Sequence, residues 1–175
     1  MAERTLLTAA DVARATTRMA HELVEADRGE SRTVLLGVPT RGAVLARRLA
    51  DAMTAITGSP VESGVLDVTL YRDDLADHPT RATGETRIPE GGVDGAVVVL
   101  VDDVLYSGRT VRAALDALGD HGRPAAVRLA VLVDRGHREL PIRPDTVGRN
   151  IPSAQTERVA VRLIEVDGRD EVAIA

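Results

Sequence analysis

The chain is expected to fold as one α/β domain, a twisted and mainly parallel sheet flanked by helices. Three observations predict this. Short continuous apolar runs such as Val97–Val101 are too brief for helices and have the composition of strands buried on both faces. Segments with apolar residues at the helical period lie between them, and that alternation is the signature of crossover connections. With 175 residues, no internal repeat and no dividing linker, the chain suits a single core. Ligands of such sheets collect at the carboxyl ends of the strands.

The elements follow in order. Thr8 to Asp11 has the pattern of a capping box, and a helix runs from it to about Ala26. Val12, Ala15, Met19, Leu23 and Ala26 share its apolar face, leaving Arg14, Thr17, Arg18, His21 and Glu25 on the other. Thr33 to Val38 reads as a short buried strand, Pro39 to Gly42 as a loop, and Ala43 to Met53 as a helix. Val65 to Tyr71 is the next expected strand. Asp73 to Gly95 is rich in Gly, Pro and polar residues and shows no period; a loop of that length reads as a mobile lid. Val97 to Val101 is a strand, followed by a helix to Gly119 with Val111, Ala114, Leu115 and Leu118 inward. Ala126 to Val133 is a strand. Asp134 to Asn150 looks irregular and arginine-rich. Val159 to Leu163 and Glu171 to Ile174 complete the set.

Composition sets bounds. Phe and Trp are absent and Tyr occurs twice, so the core must be built from Val, Leu, Ile and Ala. Tyr71 and Tyr106 both lie beside acidic pairs, which packing explains as well as a site would. Absence of Cys excludes disulfides and zinc–thiolate centres. The histidines His21, His78, His121 and His137 are scattered, with no HExxH spacing, and read as surface residues. No stretch approaches a membrane span and the N-terminus has no apolar signal core, so a cytoplasmic protein is expected. The net charge of −5 argues against broad nonspecific binding to nucleic acid but allows a local basic face. All 22 basic residues are arginine; GC-rich codon usage accounts for this, and arginine forks also suit phosphates and base edges.

Chemistry concentrates in Val97–Thr110, VVVLVDDVLYSGRT. A buried strand runs into Asp102 and Asp103, then into a turn of small and hydroxyl residues that opens a helix. Exposed N–H and O–H donors at a helix N-terminus hold phosphate. The carboxylates can hold ribose hydroxyls and meet a divalent cation. A P-loop is excluded because the chain has no lysine. So is a receiver domain, whose acid pair needs a lysine and sits at the first strand. Gly37–Gly42, GVPTRG, also joins a strand to a helix, and its N–H groups with Arg41 can clamp a second phosphate group. Alone, it would be an ordinary strand–helix turn. The outer face of the first helix reads by itself as solvated surface. Arg135, Arg138, Arg143 and Arg149 offer a second reading, since a loop carrying them can extend that face into a basic patch.

Val98–Thr110 resembles the 5-phosphoribosyl-1-pyrophosphate (PRPP) signature of type I phosphoribosyltransferases. GVPTRG resembles their pyrophosphate loop, where a non-proline cis peptide is common. With TTRMAHELVE, LDVTLYRDDL and LAVLVDRGHRELPIRPDTVGRNIP, nearly the whole chain looks like the PyrR family of bifunctional pyrimidine-operon regulators and uracil phosphoribosyltransferases. The resemblance implies the type I phosphoribosyltransferase fold and two activities. One is conversion of uracil and PRPP to UMP and pyrophosphate with Mg²⁺. The other is uridine-nucleotide-dependent (UMP or UTP) binding of a pyrimidine-operon mRNA leader. It also suggests a homodimer or higher oligomer. Mapped by the resemblance, Thr40, Arg41 and Arg72 meet pyrophosphate. Asp102 and Asp103 hold the ribose, with Mg²⁺ carried by PRPP rather than by the protein alone. Val104, Leu105, Tyr106, Ser107, Gly108, Arg109 and Thr110 wrap the 5′-phosphate. Arg135 and the backbone near Val159 lie toward the base, and Thr17, Arg18, His21, Arg138, Arg143 and Arg149 face RNA. Arg41, Asp102 and Asp103 would carry catalysis. Thr146 stands where the family usually has Tyr, and Arg149 where Lys is commoner. The alternatives are a purine-type phosphoribosyltransferase and a nucleotide-sensing RNA-binding regulator without significant catalysis.

Overall fold

The computed structural model describes residues 3–27, 29, 31–74, 76 and 83–175. A five-stranded parallel sheet forms its centre. The strands are β2 (Thr33–Gly37), β3 (Glu62–Val65), β4 (Val97–Leu105), β5 (Ala126–Asp134) and β6 (Thr146–Asn150), in the order β3-β2-β4-β5-β6. Helices α1 (Ala9–Ala26) and α2 (Arg41–Thr57) cover one face, and α3 (Arg109–Gly119) covers the other. Strand alternation divides the core accordingly. Leu35, Val99, Val101 and Leu132 point toward α1 and α2, while Leu36, Val98, Leu100 and Val131 point toward α3. A smaller antiparallel sheet, β1 (Arg4–Leu7), β8 (Glu171–Ile174) and β7 (Val159–Arg162), forms a hood with the single-turn α4 (Ile164–Asp167).

Local chemistry explains the boundaries. The capping box of α1 is present: Asp11 N–H donates to Thr8 Oγ1 at 3.3 Å, and Thr8 N–H donates to Asp11 Oδ2 at 2.9 Å. Val12, Ala15, Met19 and Leu23 are buried as the helical period requires, whereas Ala26 is exposed. Helix α2 starts earlier and ends later than its apolar period suggests, stopping at Gly58 in the left-handed region.

Several expectations are corrected. Val65 to Tyr71 is not a strand. β3 ends at Val65 because its neighbour β2 ends at Gly37, and the Asp67 carboxylate then captures both the N–H and the hydroxyl of Thr69. That side-chain bond favours a turn, and Thr69–Tyr71 forms a single 3₁₀ turn. β4 continues to Leu105, so the acid pair lies within the strand rather than after it. The segment after β5 is not irregular throughout: β6 forms its end, with Thr146 and Gly148 buried. Its Gly, Arg and Asn are poor strand formers, and pairing with β5 overrides them. β1 and α4 have no sequence signal comparable to the others. In the proposed lid, Arg87 pairs with Val65 through two backbone hydrogen bonds of 2.8 and 2.9 Å. Leu75 and residues 77–82, His78 included, lie outside the described residues.

Candidate active site

The two loops meet where β4 ends. Gly37 and Gly42 allow this contact. A Cβ on Gly37 would lie 2.2 Å from Gly42 O, and one on Gly42 would lie 2.6 Å from Val101 O and 3.2 Å from Asp102 Cα. Any side chain would push α2 off the strand end. Val38 N–H donates to Val101 O at 2.9 Å, and the Pro39–Thr40 peptide is cis. The start of α2 at Arg41–Gly42 therefore packs against the strand at Val101–Asp102.

Asp102 is buried, and its Oδ1 accepts the Asp103 N–H at 2.9 Å. Burial pushes its carboxyl well above the usual carboxylate range, and the neighbouring charge of Asp103 adds to this; Arg72 opposes it. Asp103 Oδ1 accepts the Val104 N–H at 2.8 Å. Beyond them Gly108, with φ 93°, turns the chain into α3, and no side chain caps that helix at its N-cap. Ser107 O is fixed by the N–H groups of Glu139 and Leu140, and a Cβ on Gly108 would meet Ile142 at 3.3 Å. The first-turn donors of α3 therefore face a cavity of about 300 Å³ lined by Arg72, Asp73, Asp74, Asp102 and Val104–Val111. A cavity of about 510 Å³ lies at the opposite, amino-terminal end of the strands, between Asp27, Thr33 and Glu62, away from these groups.

Cations surround the site, and Arg41, Arg72 and Arg109 each have an acidic partner. Arg41 forks onto Asp167 of α4, with Nε to Oδ2 at 3.0 Å and Nη2 to Oδ1 at 2.6 Å. Arg72 follows the 3₁₀ turn rather than a strand. It forks onto Asp74 and approaches Thr110 Oγ1 at 3.4 Å, which puts it at the start of α3. Arg109 bridges Asp73 and Glu139. Arg135 is buried and lies over the ring of Tyr106. Val159 is in the hood with its side chain in the core, and it does not line the cavity.

The other expected cluster is partly assembled. Thr17, Arg18 and His21 are exposed on α1. Arg18 is not free, however. It donates to Glu22 Oε1 at 2.5 Å, to Val147 O at 3.1 Å and to Gly148 O. This brings it beside Arg149 on β6, and both line a shared cleft of about 220 Å³. Arg143 and Arg149 are exposed. Arg138 turns inward instead. It pairs with Asp134 at 2.5 Å and donates to Ile142 O and Tyr106 O, each at 2.9 Å. The Asp167 contact to Arg41, the pairing of Asp73 and Asp74 with Arg109 and Arg72, and the Tyr106–Arg135 stack carry no sequence signal. No spacing rule connects residues so far apart in the chain.

An acid pair within a central strand, a helix terminus without a side-chain cap after it, a second loop at the next strand and a hood above them are the features of a type I phosphoribosyltransferase. A family model described as the phosphoribosyl transferase domain matches residues 4–164. Solved hypoxanthine phosphoribosyltransferases share the fold. That of Trypanosoma cruzi superposes with a TM-score of 0.74 at 19% identity, covering 99% of this chain and 96% of its own. The hypoxanthine-guanine enzyme of Bacillus anthracis gives 0.72 at 17% identity, covering 99% and 98%. Curated relatives are more specific. A protein of Streptomyces coelicolor is 61% identical over 171 residues, covering 98% of this chain and 89% of its own. One of Leifsonia xyli is 60% identical over 179 residues, covering 99% and 97%. One of Mycobacterium tuberculosis is 57% identical over 179 residues, covering 98% and 93%. All three are named bifunctional protein PyrR, and the chain belongs to the PyrR family.

Proposed function

We infer that the protein transfers the phosphoribosyl group of PRPP to uracil, releasing UMP and pyrophosphate, and regulates pyrimidine genes by binding their mRNA when a uridine nucleotide is bound. The observation that carries the enzyme reading is the convergence of the uncapped α3 terminus, Arg72 and the buried Asp102 on one cavity. The 5′-phosphate accepts from the N–H groups of the Ser107–Thr110 turn, where the helix dipole favours an anion; the Arg109 N–H, which donates to Ser107 Oγ at 3.3 Å, exchanges that partner for the phosphate. Asp102 and Asp103 hold the ribose hydroxyls. Positive charge grows on the ribose as the anomeric bond breaks, and the two carboxylates lie where it develops. Thr40 and Arg41 hold the departing pyrophosphate, and no covalent nucleophile is needed.

The acid pair fits a divalent cation. Burial beside Asp103 raises the Asp102 carboxyl, and a cation near both would relieve that repulsion. No cluster of three or more acidic, His or Cys ligands exists among the described residues, so Mg²⁺ would arrive with PRPP. When bound, it would neutralise charge on the pyrophosphate.

The exposed face of Thr17, Arg18 and His21, continued by Arg149, serves as the RNA surface together with the exposed Arg143. Arginine forks on that face suit phosphates and splayed bases on an otherwise acidic protein. No described helix is long and apolar enough to cross a membrane. Action in the cytoplasm and assembly as a homodimer or larger are part of the same reading. The purine enzymes share only the fold at these identities. The test is UMP formation from uracil and PRPP with hypoxanthine as competitor, run beside UMP-dependent binding of the operon leader. IMP formation in place of UMP would reassign the base, and binding without turnover would leave a sensor.

A further inference from the structure

We propose that Asp167, in the hood, is the positioning residue for Arg41 during phosphoribosyl transfer, through the two-point fork between them. The proposal rests on the reading that Arg41 meets the departing pyrophosphate. The fork uses one edge of the guanidinium, Nε at 3.0 Å and Nη2 at 2.6 Å, and leaves the Nη1 edge for a ligand. Asp167 is itself anchored, because its Oδ2 accepts the Leu163 N–H at 2.8 Å. A long side chain at the mouth of a loop is thus aligned before substrate arrives. Such alignment lowers the entropy lost on reaching the transition state.

A second arginine separates positioning from simple docking. Arg48 lies two helical turns from Arg41 on the same face of α2. It grips Glu165 Oε2 at 2.5 Å and Asp170 Oδ1 at 2.8 Å, using Nε, Nη1 and Nη2 together. All three nitrogens of Arg48 are committed to hood carboxylates. Those contacts already fasten the hood to α2 without touching either loop of the site. The Asp167 contact adds little that docking requires, and it falls on the one arginine that the chemistry uses. Arg41 also feels the charge of Asp103, which adds to that of Asp167 in favouring the charged guanidinium. Asp167 is held below the usual carboxylate range by Arg41 and stays an anion at neutral pH.

The experiment compares Asp167→Asn, Asp167→Glu, Asp170→Asn and Arg41→Ala by steady-state kinetics and thermal melting. Asp167→Asn should lower kcat roughly tenfold or more with little change in KM for uracil. Asp167→Glu should recover part of that loss, and Asp170→Asn should melt earlier but keep wild-type kcat. Wild-type kcat in Asp167→Asn beside a crippled Arg41→Ala overturns the positioning role alone. Wild-type turnover in Arg41→Ala overturns the reading of the loop itself. Equal kcat losses in Asp167→Asn and Asp170→Asn would show that hood docking is what matters, and the proposal fails. If Asp167→Asn does not fold, Asp167→Glu carries the test: its kcat must fall while its melting temperature holds, and unchanged kcat overturns the proposal.

Discussion

The guanidinium of Arg135 lies over the ring of Tyr106, with Cζ 4.2 Å from the ring centroid. Tyr106 belongs to the proposed phosphate loop after β4 and Arg135 follows β5, so the stack ties together the ends of two adjacent strands. Arg135 also donates from Nε to Ser153 Oγ at 3.1 Å and from Nη2 to Ala154 O at 2.8 Å. His137 meets the same Tyr106 ring edge-on at 6.2 Å, and its Nε2 lies 2.5 Å from Ser153 O. Arg135→Lys keeps the charge but loses the planar stack and the fork. We expect it to cost about 1–2 kcal/mol of stability, and to raise KM for PRPP because the phosphate loop loosens. Melting and kinetics on one preparation check this, and an unchanged melting temperature would remove the structural role of the stack.

The two site acids should respond differently to neutralisation. Asp102 is buried with a raised carboxyl, so its ionised form opposes folding. Asp102→Asn keeps an acceptor for the Asp103 N–H and removes the buried charge. The variant should melt a few degrees higher without ligand, if roughly 1 kcal/mol is recovered, while losing turnover. Asp103→Asn should lose turnover with little change in melting, because Asp103 is only half-buried. Loss of one charge-assisted contact costs about 1.5–3 kcal/mol, visible in the affinity for PRPP. Wild-type turnover in Asp103→Asn would falsify its assignment to the ribose.

Separating the two proposed functions requires variants chosen with the structure in view. Arg138 bonds Tyr106 O and Asp134, so Arg138→Gln should impair catalysis as well as RNA binding. Arg143→Gln and Arg149→Gln remove exposed guanidinium groups and should weaken RNA binding alone. Each should also flatten the salt dependence by about 0.7 in log–log slope if the target contact is single-stranded. Gel-shift titrations at several salt concentrations provide the measurement. Unchanged RNA binding in both variants moves the interface elsewhere.

Acid should loosen the hood first. Asp167 is held below its usual range by Arg41, and Glu165 and Asp170 by Arg48. A depressed folded-state pKa contributes stability above the unfolded value, and the contribution disappears as pH falls through the folded value. Docking is therefore intact from neutral pH to about 4, near the unfolded carboxylate values, and fades below. The raised Asp102 has the opposite sign: its contribution is present below the unfolded value and is lost as pH rises through the folded one. In Arg48→Met, Glu165 and Asp170 are no longer depressed, so melting temperature should fall less between pH 5 and pH 3, roughly the window these groups titrate in. Identical acid sensitivity in wild type and variant rules this linkage out.

Sequence pattern captured what local rules encode. The period of α1, the apolar run of β4 and the donor-rich turn after Asp103 each follow from residues within a few positions of one another. It failed where a distant partner decides. Asp167 meets Arg41 only because the hood folds back over α2. β6 is a strand because β5 supplies its partner, despite Gly148 and Arg149. Arg18 and Arg138 read as free surface cations, but carbonyl oxygens from other elements hold them. The strand expected over Val65–Tyr71 gave way to a turn at Thr69, held by an Asp67 side-chain bond that apolar periodicity does not register.

The hood pairs Arg4 with Ile174 and Leu7 with Val172, the earliest strand with the last. Closing a loop of that length carries an entropic cost that more local pairings avoid. During synthesis, β2 to β5 can assemble while β8 is still within the ribosome. The phosphate loop then forms on a growing chain, whereas the carboxylate that holds Arg41 arrives only when the final strand docks. A nascent chain stalled before residue 171 should therefore hold its central sheet against protease and leave β1 open to cleavage, so the order of emergence sets which half of the site exists first.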